Sequence, residues 1–303
     1  MIIAIDHGNY AVKTPHTSFV SGLTEHMVKP PIAEELLEYG GRYWTLSGKR
    51  LPYMRDKTRD DRYFVLSLFA IARELNDAGI GGQFEQIDLA VGLPPEHYGM
   101  LRTTFAQYFR RVNPVNFVYN DRPLSVLIRN VFVYPQAYAA VIPQSSQLLQ
   151  ALRVFVVDIG GYTTDVLLLR KGKPDLQFCR SLENGAITMN NDIIGKISMQ
   201  YDMKIEDEHI TAVLLGQETV LPEAVKGTIR NAAKQHAKDI LDKLRELQVD
   251  LRTDPAIFIG GGSILFRPLI EETGLVNQAI FVEDSRANAI GYSMLAKQQM
   301  GRL

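Results

Sequence analysis

The chain has 303 residues, of which 46% are hydrophobic and 22% are charged. These proportions exclude a disordered, collagen-like or coiled-coil chain, and at about 150 residues per domain the length predicts two domains. The 33 basic and 34 acidic residues leave a formal net charge of −1, so we expect no direct binding of nucleic acid through an overall basic field.

The compartment is indicated by cysteine usage and by the apolar segments. The single cysteine, Cys179, excludes an intrachain disulfide and fits a reducing environment. No apolar run approaches the roughly 18 residues that a membrane helix needs. The N-terminal segment 1–6 has the pattern of a strand and lacks the basic region of a signal peptide. We therefore expect a cytoplasmic protein that has no membrane partner.

In chain order, predicted strands alternate with predicted helices, which favours an α/β fold. An apolar strand over 2–5 and a returning strand over 10–13 flank a glycine-containing turn. The next segment, 14–60, is rich in proline and glycine and predicts a small irregular subdomain of hairpins and loops. The elements expected after it are a helix over 63–78, a strand over 87–93, a helix through Phe109, strands over 115–119 and 126–133, and a helix beginning near Pro135.

The pattern then restarts, with strands predicted over 154–158 and 164–169. The later elements are helices over 186–199, 207–215 and 222–247, a strand over 256–259, a strand over 280–282 and a closing helix over 285–299. An apolar strand, an Asp, a glycine turn and a second strand occur at 2–13 and again at 154–165. This repeat predicts two related α/β halves joined near 135–150.

The first copy of the repeat has chemistry suited to a phosphate group. Gly8 allows the backbone to approach a ligand closely, and the N–H groups of such a turn cradle phosphate oxygens. Lys13 would reach a phosphate as a point charge. Asp6 would need a bridging Mg²⁺ or its waters, because a carboxylate repels phosphate. The alternative is a plain Asp-Gly hairpin with a solvated lysine.

The second copy offers more donors, since Gly160, Gly161 and Thr163 share one turn. Asp158 again ends an apolar strand, where a buried charge without a partner is costly. A metal ion or its water shell is a plausible partner there. A third loop, Gly260–Ser263, opens a helix after a strand, which favours a ligand at a helix N-terminus. The sequence lacks both a dinucleotide-binding fingerprint and a P-loop.

These three loops, in this order, resemble the actin-like ATPase superfamily, and in particular its ParM/StbA-type plasmid-segregation proteins of bacteria and archaea. The similarity extends over nearly the whole chain except about 14–60. It includes the sequences Val-Gly-Leu-Pro at 91–94, Tyr-Pro-Gln-Ala-Tyr-Ala-Ala at 134–140, Glu-Asn-Gly-Ala at 183–186 and Ala-Asn-Ala-Ile-Gly-Tyr at 287–292.

The resemblance implies an α/β, actin-like two-domain fold of duplicated ribonuclease-H-type halves with an interdomain nucleotide cleft. Domain I would comprise 1–150 and 286–303, with the small insertion subdomain at about 14–60. Domain II would comprise 151–285.

The resemblance also implies a site for ATP, or GTP, with Mg²⁺. Asp6 and Asp158 would act in catalysis by holding hydrated Mg²⁺, and Gln136 would orient the attacking water without deprotonating it. The other implied nucleotide contacts are Gly8, Asn9, Tyr10, Lys13, Gly160, Gly161, Tyr162, Thr163, Gly185, Lys238, Gly260, Gly261, Gly262 and Ser263.

The implied function is a nucleotide-dependent polymerising ATPase whose cytomotive filaments segregate plasmid or other DNA through a DNA-binding adaptor. The nearly neutral chain agrees with leaving DNA binding to the adaptor. Two alternatives stay open. A small-molecule kinase of the same fold would need a general base, for which Asp88 and Asp121 are candidates. A nucleotide-binding scaffold without turnover is disfavoured by Gln136 and the two aspartates.

Overall fold

The computed structural model describes residues 1–52, 54, 56–80, 84–144 and 151–301. The chain divides into two compact units, Met1–Pro143 with Arg286–Leu303 and Gln144–Ser285. Within the described ranges, no helix is both long enough and apolar enough to cross a bilayer.

The first unit is built on one nine-stranded sheet in the order β3-β2-β1-β7-β9-β8-β5-β6-β4. Its strands are β1 Ile2–His7, β2 Ala11–Lys13, β3 Ser18–Val20, β4 Leu23–His26, β5 Leu36–Tyr39, β6 Arg42–Leu46, β7 Phe84–Leu93, β8 Val115–Tyr119 and β9 Arg122–Pro135. Its first three helices are α1 Arg62–Asp77, α2 Pro95–Phe109 and α3 Tyr138–Val141.

The second unit is built on a five-stranded sheet in the order β12-β11-β10-β13-β14. Its strands are β10 Val154–Ile159, β11 Thr164–Arg170, β12 Lys173–Leu182, β13 Ala256–Ile259 and β14 Ala279–Phe281. Its helices are α4 Ala186–Tyr201, α5 Asp207–Leu214, α6 Glu223–Glu246 and α7 Gly261–Glu272. The last helix of the chain, α8 Ala287–Met300, belongs to the first unit.

The two sheets share a five-strand arrangement. The central strands β1 and β10 each pair antiparallel with the next strand in the chain, β2 or β11, which pairs antiparallel with β3 or β12. On their other side, β1 and β10 pair in parallel with β7 or β13, which pairs in parallel with β9 or β14. The orders β3-β2-β1-β7-β9 and β12-β11-β10-β13-β14 are therefore equivalent, which confirms the prediction of duplicated α/β halves.

The cores explain why the central strands are largely apolar. All six residues of β10 are buried, as expected for a strand that is covered on both faces. One face of α6 packs into the same core through residues spaced mostly three or four apart, namely Val225, Ile229, Ala233, Ala237, Ile240 and Leu244. Asp158 is thus an acidic residue at the end of an otherwise apolar buried strand.

The helix predicted near Pro135 begins later, at Tyr138. Strand β9 continues through Pro135, which lies opposite Leu93 of β7, and α3 begins only at Tyr138. Proline is tolerated at the end of a strand because no further ladder donor is required there. The residue after Pro135, Gln136, is therefore presented from the end of a strand.

The proline-rich segment 14–60 forms hairpins as expected, but these hairpins extend the main sheet. Strand β5 pairs with β6, and also with β8 through Leu37 opposite Tyr119. This pairing joins β4, β5 and β6 to the hydrogen-bonded sheet of the first unit.

Candidate functional site

The first predicted loop is a tight β-hairpin in the first unit. Asp6 lies opposite Lys13 and His7 lies opposite Val12, and residues 8–10 connect β1 to β2. A Cβ atom on Gly8 would lie 2.6 Å from the Ala11 carbonyl oxygen, so this close turn requires glycine. The Ser21 hydroxyl donates to the Gly8 carbonyl at 2.7 Å. The close approach at Gly8 and the hydrogen bond from Ser21 therefore stabilise the conformation of the loop.

Two of the three predicted catalytic residues contact each other. The Gln136 side-chain Nε2 donates to Oδ1 of the buried Asp6 at 2.8 Å. Because only the NH₂ group of the amide can donate to a carboxylate, the amide oxygen is left as an acceptor. The backbone N–H of Gln136 donates to the Leu93 carbonyl at 2.8 Å. The sheet thereby fixes the position from which the side chain reaches Asp6.

The remaining predicted residues of this loop lie around the hairpin. Lys13 is half-buried, and within the described parts of the chain it forms no salt bridge. The Asn9 side-chain oxygen lies 3.5 Å from the Tyr63 hydroxyl. Tyr10 is 48% exposed. Among the described residues, no acidic side chain forms an ion pair with this lysine.

A buried histidine at the end of β1 anchors the hairpin to the core of the first unit. The His7 ring stacks on Phe109 with 5.1 Å between ring centroids. Its Nε2 lies 2.7 Å from the Ser67 hydroxyl, which itself donates to the Tyr63 carbonyl. Nε2 therefore carries the proton and donates, and the buried Nδ1 has no hydrogen-bond partner in the described part of the chain. Burial, with a smaller effect from the charge of Lys57, lowers the pKa of His7 to about 3.

The second predicted loop repeats the first in register. Asp158 lies opposite Asp165 and Ile159 lies opposite Thr164, so the connection comprises residues 160–163. Both carboxylates are buried, and the Thr163 hydroxyl donates to Asp165 at 3.1 Å. Two acidic side chains directly across an antiparallel pair repel each other. This arrangement favours a cation between or beside them.

Asp165 is a candidate functional residue that the sequence reasoning did not select. Its signal was its spacing, because it follows Asp158 by the same interval that separates Lys13 from Asp6. The same hairpin thus places a base opposite the acid in one unit and a second acid opposite it in the other.

The carbonyl groups of the second loop cap the start of α4. The carbonyls of Gly160 and Gly161 accept from the backbone N–H groups of Ala186 and Ile187, and that of Tyr162 accepts from Gly185. A Cβ atom on Gly185 would lie 2.2 Å from the Gly161 oxygen, so this contact requires glycine. Among the described residues, the N–H groups of Gly161 and Thr163 have no acceptor. They remain as donors for an anion.

The third predicted loop packs directly on the end of β10. Gly260 has φ +88°, and a Cβ atom there would lie 2.4 Å from Oδ1 of Asp158. A Cβ atom on Gly262 would lie 2.6 Å from the Ile159 side chain, whereas one on Gly261 would meet nothing within 4 Å. Ser263 is buried, and its hydroxyl donates to the Gly260 carbonyl at 2.8 Å. Ser263 therefore stabilises the helix start through this bond.

Three predicted or alternative residues stand apart from these loops. Lys238 is exposed on α6, and within the described residues it forms no salt bridge. Asp88, a candidate kinase base, is buried in β7, where it accepts from Arg129 at 2.8 Å and from Asn130 at 2.7 Å. Asp121 is exposed in the β8–β9 turn and pairs with Lys29 at 2.6 Å. The partners of both acids thus lie outside the three loops.

Magnesium fits the chemistry of the second loop. No group of three or more His, Cys, Asp or Glu side chains that could hold a metal ion occurs within the described residues. Mg²⁺, however, is commonly held by one or two carboxylates together with substrate phosphates and water. Asp158 and Asp165 supply hard oxygen ligands next to the free N–H donors of the loop.

Comparison with known proteins identifies the family of the chain. The family model described as "Actin like proteins N terminal domain" matches residues 4–138. The model described as "Archaeal actin homologue MreB-like, C-terminal" matches residues 156–272. Together the two models cover most of the chain. No curated protein matches it.

Solved structures of similar fold cover almost the full length. The archaeal actin homologue Ta0583 superposes with a TM-score of 0.78 at 21% identity, over 98% of this chain and 99% of that one. The Alp12 filament structure gives a TM-score of 0.70 at 14% identity, over 99% and 98%. ParM of Bacillus thuringiensis with ATP gives 0.69 at 12% identity, over 98% of each chain. The two family models and the shared two-domain fold confirm the predicted resemblance: the chain belongs to the actin-like superfamily, with ParM-type proteins among its relatives.

Proposed function

We propose that the protein binds and hydrolyses ATP or GTP, and that this nucleotide cycle drives assembly of its own copies into cytomotive filaments. The observation that carries the proposal is the Gln136 amide held on the Asp6 carboxylate at 2.8 Å beside a phosphate-type hairpin. The second unit supplies a matching hairpin with two facing acids.

Each hairpin has a distinct role in this proposal. The N–H donors of Gly161 and Thr163 bind phosphate oxygens, while Lys13 neutralises part of their charge. Gly260 and Gly262 allow the start of α7 to pack on Asp158 and Ile159, and the loop Gly260–Ser263 covers the nucleoside. Asp6 and Asp158, assisted by Asp165, hold hydrated Mg²⁺, which when bound neutralises negative charge on the phosphates.

Gln136 orients the water that attacks the γ-phosphorus. The water oxygen forms a bond to phosphorus as the bond to the β–γ bridging oxygen breaks, and the proton of the water passes to the phosphate product or to solvent. The products are a nucleoside diphosphate and inorganic phosphate. A neutral amide cannot remove a proton, so catalysis relies on positioning and electrostatics. We therefore expect slow turnover. Solved relatives that contain ADP or ATP support a nucleotide ligand.

The filament part of the proposal rests on the relatives. One of them is described as a filament, and a further one as a filament bound to AMPPNP. We extend this property to the present chain, together with a cytoplasmic location and a separate DNA-binding adaptor that links the filament to plasmid or other DNA. The nearly equal numbers of acidic and basic residues fit a chain that does not itself bind DNA. Nucleotide-dependent sedimentation tests the self-association.

Phosphate release by site variants tests the nucleotide cycle. The wild-type protein should release phosphate from ATP or GTP in the presence of Mg²⁺. Asp158→Asn should weaken binding of Mg²⁺-nucleotide, whereas Gln136→Ala should bind nucleotide but turn over roughly 100-fold more slowly. Asp121→Asn, which removes an exposed acid outside the hairpins, is the matched control and should behave as wild type. Wild-type turnover that both site variants retain would overturn the proposal. Wild-type binding without phosphate release would favour a scaffold.

A further inference from the structure

The backbone that follows Gln136 adopts a strained turn. Ala137 has φ +62° and ψ −54°, and the N–H of Tyr138 donates to the Gln136 carbonyl at 2.5 Å. An i to i+2 bond with these angles defines a γ-turn of the rare kind, which residues other than glycine seldom adopt. Ala137 is fully buried. Such conformations persist only where the surroundings enforce them, and they cluster at functional sites.

A side chain from the other end of the chain enforces this turn. The N–H of Ala137 donates to Oδ1 of Asn288 at 3.0 Å, across 151 residues of sequence. Asn288 is buried at the start of α8. Without this acceptor the buried N–H of Ala137 would lose its hydrogen bond, which is unfavourable in a core. The amide oxygen of Asn288 thus accepts a hydrogen bond from the buried N–H of the strained turn.

Close packing of α8 against α3 fixes the position of Asn288. A Cβ atom on Gly291 would lie 1.8 Å from the Ala139 carbonyl oxygen, so only glycine permits this approach. Tyr292, the next residue, is fully buried and stacks on Tyr134 with 6.3 Å between ring centroids. The helix cannot slide along α3 without breaking these contacts, and Asn288 is therefore held at a defined distance from the turn.

We propose that Asn288 is a positioning residue for Gln136. Gln136 is fixed through its N–H on the Leu93 carbonyl, its carbonyl on the Tyr138 N–H, and its side chain on Asp6. Asn288 holds the turn that sets the last two of these bonds. The inference rests on the proposed function, since it concerns the water-orienting role of Gln136. It predicts that Asn288 acts on turnover and leaves nucleotide affinity nearly unchanged.

Turnover and nucleotide affinity, measured separately in full-length variants, test this role. Asn288→Ala should reduce kcat by about tenfold or more, with nucleotide Kd changed less than about twofold, because misplacement of the amide affects the reacting geometry. Asn288→Asp keeps an oxygen acceptor for the Ala137 N–H and should restore most of the lost kcat. Gln298→Ala, on an exposed face of the same helix, is the matched control.

A second pair of variants separates positioning from general damage to the fold. Glycine reaches positive φ at little cost, so the turn needs less enforcement in an Ala137→Gly background. Adding Asn288→Ala to that background should therefore reduce kcat by a smaller factor than it does in the wild type. Hydrogen exchange of the 136–138 backbone amides should accelerate in Asn288→Ala but not in Gln298→Ala.

Each outcome bears on one claim. If the wild type shows no turnover, the proposed function fails, and Gln136 has no reaction to assist. If the wild type turns over and Asn288→Ala has the same kcat, only the positioning role is overturned. Equal loss of kcat in Asn288→Ala and Asn288→Asp, or in the two Ala137 backgrounds, also overturns it. Should Asn288→Ala not fold, the Asn288→Asp variant and the exchange data on it decide the question.

Discussion

At the residue scale, the neutral histidine beside Asp6 links the hairpin to the stability of the first unit. Burial lowers the pKa of His7 to about 3, against 6.5 for an ordinary histidine. The folded protein therefore binds this proton less readily than the unfolded chain does. The stabilisation is fully present above pH 6.5 and is lost progressively as the pH falls towards 3.

Chemical denaturation between pH 7.5 and 4.5 measures this effect. The free energy of unfolding should fall by about 1.4 kcal/mol per pH unit below 6.5 from this one group, in addition to the effects of other groups. His7→Gln retains a donor for Ser67 but does not titrate. The free energy of unfolding of this variant should therefore fall less steeply with decreasing pH, by that amount. Parallel curves for the two proteins would show that His7 is not the source.

The glycine at the start of α4 gives a second prediction at this scale. A Cβ atom on Gly185 would lie 2.2 Å from one backbone oxygen and 2.6 Å from the Tyr162 carbonyl carbon. Gly185→Ala should therefore push the 160–163 loop out of position, lower the free energy of unfolding by about 1–3 kcal/mol and weaken nucleotide binding. Denaturation and nucleotide titration measure the two effects.

Gly195 provides the control for that substitution in the same helix. It is exposed, and a Cβ atom there would meet nothing within 4 Å. Gly195→Ala should raise the free energy of unfolding by about 0.5–1 kcal/mol, because alanine loses less backbone entropy in a helix. If the two alanine variants had equal stability and equal nucleotide affinity, the account of the loop contact would be incorrect.

At the scale of elements, the two hairpins could be predicted because their pattern is local. An apolar strand, an aspartate and a glycine turn are read directly from neighbouring residues, and the structure places Asp6 and Asp158 at equivalent positions. The end of β9 could not be predicted in this way. Pairing with β7 keeps the chain extended to Pro135, and a proline before a helix-like sequence gives no sign of that partner.

Long-range contacts account for the other gaps. The strands of segment 14–60 join the main sheet through β8, which lies far along the chain. Asp165 was visible in the sequence but gained meaning only once it was found opposite Asp158. The contact of Asn288 with Ala137 spans 151 residues, so no local sequence pattern predicts it. Sequence reasoning thus found the three candidate loops and missed Asp165 and Asn288, whose contacts lie outside any local pattern.

Docking of α8 on α3 gives the prediction for this scale. Gly291→Ala would place a Cβ atom 1.8 Å from a backbone oxygen, so the C-terminal helix must shift. We expect a loss of unfolding free energy of at least about 1–3 kcal/mol and faster proteolysis of the C-terminal segment. Gly227→Ala, at an open position on α6, is the control and should leave proteolysis unchanged. Equal digestion of both variants would contradict the proposed docking contact.

At the scale of the whole molecule, the two copies of one α/β plan differ in the residue that faces the strand-ending aspartate. The residue opposite the strand-ending aspartate is Lys13 in the first unit and Asp165 in the second. A basic side chain therefore faces the strand-ending acid in the first hairpin, and a second acid faces it in the other. In the proposed function, Lys13 neutralises phosphate charge and Asp165 assists in holding Mg²⁺.

Sedimentation and negative-stain microscopy, with phosphate release followed in the same samples, test the central claim most directly. Purified protein at tens of micromolar would be compared with ATP, GTP, the corresponding diphosphates or no nucleotide, each with Mg²⁺, alongside Asp158→Asn. The account predicts filaments only with a triphosphate, phosphate release that lags assembly, and neither event in Asp158→Asn. A wild-type protein that stays monomeric with every nucleotide, or that forms the same filaments without any, would contradict it.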